Sequence, residues 1–249
     1  MMDPPRHIAI EGTHNIRDLG GYHTVRGTTI PARRFLRADC LHRLAPGGTD
    51  RLVGEGLRCV IDLRTKNEVS NAPSLFQGLT EVEYINLPLF DDLSPTALAS
   101  VDAEHSHPLV PFYIAALETR GAAVRDILSH IAQVREGAVL FNCTAGKDRT
   151  GIIAALLLAL AGVSDDDIIE DYVLTELLIP DLVAEFLSIS RSNGGDVESY
   201  ATLLESPADT MAKMLTHIRV EHGSVRGYVM HIGLARKDMF RLIDQLCGS

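Results

Sequence analysis

Short apolar runs alternate along this chain with longer segments in which apolar residues recur every three or four positions. Runs at 8–10 and 28–37 predict early strands around turns at Gly20-Gly21 and Gly27. Further apolar runs at 57–63, at 82–87 before Pro88, and at 137–141 predict buried strands. Helical spacing predicts helices over 46–56, 111–120 and 122–135, while the polar, proline-marked stretch 94–108 predicts a loop or short helix. Residues 152–160, Ile-Ile-Ala-Ala-Leu-Leu-Leu-Ala-Leu, are apolar on every side and predict a buried helix. Ser164-Asp165-Asp166-Asp167 has the form of a helix cap with acids in its first turn. Helices over 168–178, 181–189 and 209–220 follow, separated by Pro180 and a glycine turn at Gly194-Gly195. Strands alternating with helices predict an α/β fold: a central parallel or mixed sheet flanked by helices, in one domain over 1–249. A ligand then belongs at the carboxyl ends of the strands.

The junction between the strand 137–141 and the helix 152–160 carries the chemistry. It reads Cys143-Thr144-Ala145-Gly146-Lys147-Asp148-Arg149-Thr150-Gly151. A tight loop entering a helix turns several backbone N–H groups toward one spot at the positive helix end, which makes an anion site. An arginine fork six positions after a cysteine suits a phosphate, which it grips with two parallel hydrogen bonds. The same field favours the thiolate, the nucleophilic form of Cys143. Thr144, Ala145, Gly146, Lys147, Asp148 and Arg149 are therefore the candidate substrate-binding residues. Cys143, Arg149, Asp148 and Thr150 are candidate catalytic residues, Thr150 through a hydroxyl placed to support the sulfur as it leaves. The chemistry these residues predict is a metal-independent phosphomonoester hydrolysis through a phosphocysteine. A cysteine–arginine spacing alone is common by chance, and a buried Cys143 packed at a strand end is the plain alternative. The strand–loop–helix setting, Gly146 and the following Thr-Gly favour catalysis. The glycine spacing and Gly-Lys-Ser/Thr ending of nucleotide-binding loops are missing.

The segment 142–151 resembles the signature of cysteine-dependent protein tyrosine phosphatases. It is most similar to their atypical bacterial branch, which includes secreted phosphatases of mycobacteria and Listeria. Asn15-Ile16-Arg17-Asp18-Leu19-Gly20-Gly21-Tyr22, Arg33-Arg34-Phe35-Leu36-Arg37, Val60-Ile61-Asp62-Leu63-Arg64 with Glu68, and His222-Gly223-Ser224-Val225-Arg226-Gly227-Tyr228-Val229 resemble further motifs of that branch, in the same order. The resemblance implies a general acid for the leaving group. Asp91 matches its position, with Asp92 and Asp148 as the other candidates. Arg64, just after the strand 57–63, falls at the carboxyl ends of the strands near the substrate, with pairing to Glu68 or Asp18 as its plain alternative. The resemblance also implies that a helical lid falls within 165–222, with Leu177, Leu178, Leu182 and Phe186 on its apolar face. It also implies dephosphorylation of phosphotyrosine in proteins, extending to phosphoserine or phosphothreonine. Lys147 resembles a basic residue of phosphatases acting on inositol lipids, so a phosphoinositide phosphatase is the alternative. Asn142 departs from the histidine usual before the cysteine. That departure keeps a catalytically weak phospho-binding module as a further alternative.

The formal net charge of −10 argues against nucleic acid and anionic membranes as partners, so any positive field at the site must be local. The partners expected are a phosphoprotein or phosphoinositide substrate and inorganic phosphate as product, with no cofactor. Cys40, Cys59, Cys143 and Cys247 show no paired spacing and form neither a disulfide framework nor a zinc motif; Cys59 falls in an apolar strand and is expected in the core. His105-Ser106-His107 lies in a polar loop without carboxylate or cysteine partners at ligand spacing. The apolar run 151–163 is too short to span a bilayer, and residues 1–7 lack a signal core. A cytoplasmic location is expected, with export without a cleaved signal as the other route.

Overall fold

The computed structural model describes residues 6–90 and 107–248. These residues form five strands, β1 (Arg17–Asp18), β2 (Phe35–Ala38), β3 (Leu57–Asp62), β4 (Glu83–Asn86) and β5 (Ala138–Asn142). They form one mixed sheet in the order β1-β2-β5-β3-β4, with β1 antiparallel and the rest parallel. The sheet is flanked by helices, as the alternation of strands and helices predicts. β5 lies at its centre and is buried at every position, which explains its unbroken apolar sequence.

The pleat sends alternate residues to two different cores. Phe35, Cys59, Ile61, Val139 and Phe141 face the larger one, with residues of α3 (Leu109–Thr119), α4 (Gly121–Gln133) and α5 (Asp148–Ala161). Leu36, Val60, Ala138 and Leu140 face a smaller core completed by Ile8, Ile10, Leu52 of α1 (Gly48–Gly54) and Phe76. α5 is buried on all sides except at Ala159 and ends at Gly162, whose φ of 87° is the left-handed conformation of a helix stop. α2 (Lys66–Asn71) follows β3. Six further helices complete the described chain: α6 (Asp165–Leu178), α7 (Pro180–Ser192), α8 (Val197–Leu204), α9 (Ala208–His222), α10 (Val225–His231) and α11 (Arg236–Cys247).

Two sequence expectations need correction. Residues 8–10 form no strand; the segment is tied by Ile8 N–H to Ile16 O (2.9 Å) and by an isolated bridge between His7 and Arg17. The apolar stretch 28–37 yields a strand only from Phe35, because Pro31 and the positive φ of Arg33 (61°) turn the chain first. Among the described residues no helix is long and apolar enough to cross a membrane.

Candidate active site

β5 delivers Cys143 to the carboxyl edge of the sheet, and α5 starts at Asp148, so the loop between them sits at the positive end of a 14-residue helix. Gly146 has a φ of 67°, and a Cβ there would lie 2.7 Å from the Ala38 carbonyl and the Asp39 nitrogen. Only glycine fits. The loop carbonyls are turned outward onto fixed donors. Asn15 Nδ2 donates to Ala145 O (2.9 Å) and Gly146 O (3.1 Å), Arg37 Nη2 to Gly146 O (2.7 Å), and Cys40 N–H to Thr144 O (3.1 Å). The backbone N–H groups of Thr144 through Arg149 donate to no protein acceptor among the described residues. Arg149 Nε and Thr150 Oγ1 are likewise buried without a hydrogen-bond partner. Unsatisfied donors of this kind cost free energy unless a ligand or water takes them, and together they ask for an anion.

Arg149 is held by Glu68. Nη1 donates to Oε2 (2.6 Å) and Nη2 to Oε1 (2.7 Å), a bidentate pair to which the Thr144 hydroxyl adds a further hydrogen bond on Oε1. Burial opposes the Glu68 charge, but the Arg149 fork outweighs it and brings the carboxyl down to about 2. Arg149 is held above its ordinary value: burial works against its charge, and Glu68 and Cys143 more than offset it. Glu68 also closes the capping box of α2, accepting from Thr65 N–H at 2.8 Å while Thr65 Oγ1 accepts from Glu68 N–H. One residue thereby fixes the helix start and the arginine together.

Beneath the loop, Arg17 and Arg37 are wholly buried around one carboxylate, Asp171 of α6. Burial, and then the neighbouring Arg37, pull Arg17 down to about 10. Burial opposes the charge of Asp171, but Arg37 and Arg17 keep it below the usual carboxylate range. Asp39 accepts from His14 N–H and Asn15 N–H (2.9 and 3.0 Å), and burial pushes its carboxyl up. Two guanidiniums against one firm carboxylate give a local positive field in a chain of net charge −10. Arg17 does not pair with its neighbour Asp18, which instead accepts from Gly20 N–H and Arg33 N–H.

The other predicted residues separate. Asp148 shares a pocket of about 120 Å³ with Glu68, Cys143, Thr144, Ala145, Lys147 and Arg149. Its carboxylate accepts from Tyr113 OH (2.7 Å) and lies 3.1 Å from Lys147 Nζ. Lys147 is buried, and its ammonium donates to Leu203 O (2.6 Å) and Glu205 O (2.8 Å) at the end of α8. It is committed to backbone carbonyls rather than free for a substrate. Arg64 lies outside this pocket. It grips Asp62 through Nε and Nη2 (2.9 and 2.6 Å), contacts Cys40 Sγ at 2.8 Å, and lines a neighbouring pocket of about 240 Å³ with Cys40, His42 and Thr144. Asn142 is buried, with its Oδ1 unpartnered. Asp91 and Asp92 lie outside the described residues, as do His105 and Ser106; His107 bonds Thr202 O at 3.0 Å. Phe186 of α7 and Tyr200, Leu203 and Leu204 of α8 line the pocket of Cys143, and Ala145 packs with Ile179 and Leu182. Leu177 stays 69% exposed and takes no part. Sequence reasoning passed over Asn15, Arg37 and Tyr113 as supports of the loop, because each reaches it from more than 30 positions away, and Asp171, which acts through Arg37, 134 positions from it.

A family model described as "Tyrosine phosphatase family" matches residues 8–248. The chain belongs to the tyrosine phosphatase family. It is 29% identical over 230 residues to a tyrosine-protein phosphatase of Nostoc commune, covering 87% of this chain and 75% of that one. It is 25% identical to the triple specificity protein phosphatase PtpB of Mycobacterium tuberculosis, covering 96% and 98%. A remote likeness, at 16% identity and a TM-score of 0.35, links it to the crystal structure of TpbA from P. aeruginosa in complex with phosphotyrosine, covering 84% and 91%. The family makes the protein a phosphatase of the atypical bacterial kind that the motifs resemble.

Proposed function

We propose that the protein hydrolyses phosphomonoesters through a phosphocysteine on Cys143, with phosphotyrosine in proteins as its main substrate. The observation that carries this reading is the set of unsatisfied donors around one thiol: the amides of Thr144 to Arg149 and the Nε of Arg149. The Cys143 thiolate attacks phosphorus, and an S–P bond forms as the ester P–O bond breaks. The amides and Arg149 take up charge on the equatorial oxygens; such donors are each typically worth about 3–4 kcal/mol. Asp148, which shares the pocket with Cys143, is our proton donor to the leaving oxygen, and Asp91 and Asp92 are the competing assignments. Water then attacks phosphorus and frees inorganic phosphate. The Thr150 hydroxyl, buried and unpartnered, is assigned to the departing thiolate.

With α7 and α8 in place the pocket of about 120 Å³ is smaller than the roughly 300 Å³ at which small-molecule sites begin. We assign these helices as a lid that opens for substrate, with Lys147 as its latch. A released Lys147 would add a second cation for anionic substrates, which supports phosphoinositides as a second substrate class. The description of the mycobacterial relative as triple specificity supports breadth beyond phosphotyrosine. Phosphate release from phosphotyrosine, phosphoserine and phosphothreonine peptides and from phosphoinositide vesicles tests the reading. Phosphotyrosine should give the highest kcat/KM; turnover of inositol lipids alone would overturn it.

A further inference from the structure

A second group of reactive side chains lies away from the catalytic loop. Cys59 of β3 and Glu83 of β4 are register partners in the parallel pair, so their side chains leave the sheet on the same face. α4 packs on that face through Ile127, Leu128 and Ile131, and brings His130 over the pair. One ligand atom from each of Cys59, Glu83 and His130 lies within 4.8 Å of the others. His130 Nε2 and Glu83 Oε1 are 3.3 Å apart, yet the buried ring nitrogen makes no hydrogen bond. The distance suits an ion pair, but the direction does not suit a hydrogen bond. Two donors about 2.0–2.1 Å from a tetrahedral zinc stand about 3.3–3.4 Å apart without pointing at each other. That is the relation seen here.

We propose that Cys59, Glu83 and His130 form a zinc site. Thiolate, imidazole and carboxylate are the donor types zinc takes, and three protein ligands leave a fourth position for water. Glu83, 57% exposed, opens that position to solvent, while Cys59 is wholly buried and His130 is 19% exposed. On binding, the Cys59 thiol gives its proton to solvent as the S–Zn bond forms. The metal ties β3, β4 and α4 together. Cys59 precedes Asp62 by three residues, so the site lies about 10 Å from the carboxyl end of β3. It is independent of phosphate chemistry. The spacing 59, 83, 130 matches no sequence motif, because a strand pair and a crossover helix assemble it.

Calorimetric titration with zinc tests the site, using the full chain carrying Cys143→Ser so that the catalytic thiol cannot bind the metal. One zinc per chain is expected, weakened in an added His130→Gln or Glu83→Gln by at least the roughly 10-fold to 100-fold that loss of an outer-shell partner costs. Cobalt in place of zinc should give a sulfur-to-metal absorption band that Cys59→Ser abolishes. Glu83→Gln lies on the surface and keeps the test independent of folding. Zinc should raise the melting temperature of the Cys143→Ser protein and not that of its His130→Gln derivative. Equal zinc affinity with and without His130 and Glu83, or no binding once Cys143 is removed, would overturn the proposal.

Discussion

Replacing Glu68 with glutamine keeps the shape of the side chain and removes the charge that holds Arg149. The drop of the Glu68 carboxyl from 4.5 to about 2 corresponds to about 3 kcal/mol of stability at neutral pH, before screening. The side chain is 22% exposed, and solvent screening brings the expected loss to about 2 kcal/mol. For a chain of this size that is a fall in melting temperature of about 4–8 °C. The pH dependence has a definite sign. A depressed carboxyl stabilises the fold fully above its unfolded value of 4.5, and the contribution is lost as pH falls toward about 2. The gap between wild type and Glu68→Gln should thus be constant from pH 8 to 5 and shrink below 4.5. Denaturant unfolding of both proteins across that range measures it. A gap that is absent at pH 7, or that widens on acidification, would refute the placement of Glu68 as the ionised partner of Arg149.

Three other substitutions probe separate parts of the site. Asn15→Ala removes two hydrogen bonds that hold the Ala145 and Gly146 carbonyls; it should cost about 1–3 kcal/mol in unfolding and lower kcat more than it changes KM. Unchanged kinetics would sink the loop-holding role. Lys147→Met cuts the ties to Leu203 and Glu205, so amide exchange should quicken in α8 while α5 stays protected; equal exchange in the two proteins speaks against the latch. Asp148→Asn should slow turnover of phosphotyrosine peptides more than of p-nitrophenyl phosphate, whose leaving group needs no proton. Equal losses would move the general acid to Asp91 or Asp92.

What the sequence conveyed follows from how local each signal is. β5, the loop and α5 are contiguous, and an apolar strand, a Gly146 turn and an all-apolar helix read directly from adjacent residues. β3 and its Asp62-Leu63-Arg64 exit were legible for the same reason. The partners were not. Arg64 settles on Asp62, two residues away, and Glu68 is left for Arg149, a choice made by strand order rather than spacing. Lys147 looked like a substrate cation because the sequence does not show that the end of α8 returns over it. The buried cluster of Arg17, Arg37 and Asp171 joins three elements up to 154 positions apart and leaves no local pattern.

Hydrolysis of p-nitrophenyl phosphate in the presence of EDTA, by the native chain and by Cys143→Ser, tests the central claim most directly. Activity should withstand chelation and vanish with the serine, while phosphate still binds the variant. Activity that survives Cys143→Ser, or that EDTA removes from the native protein, would contradict it.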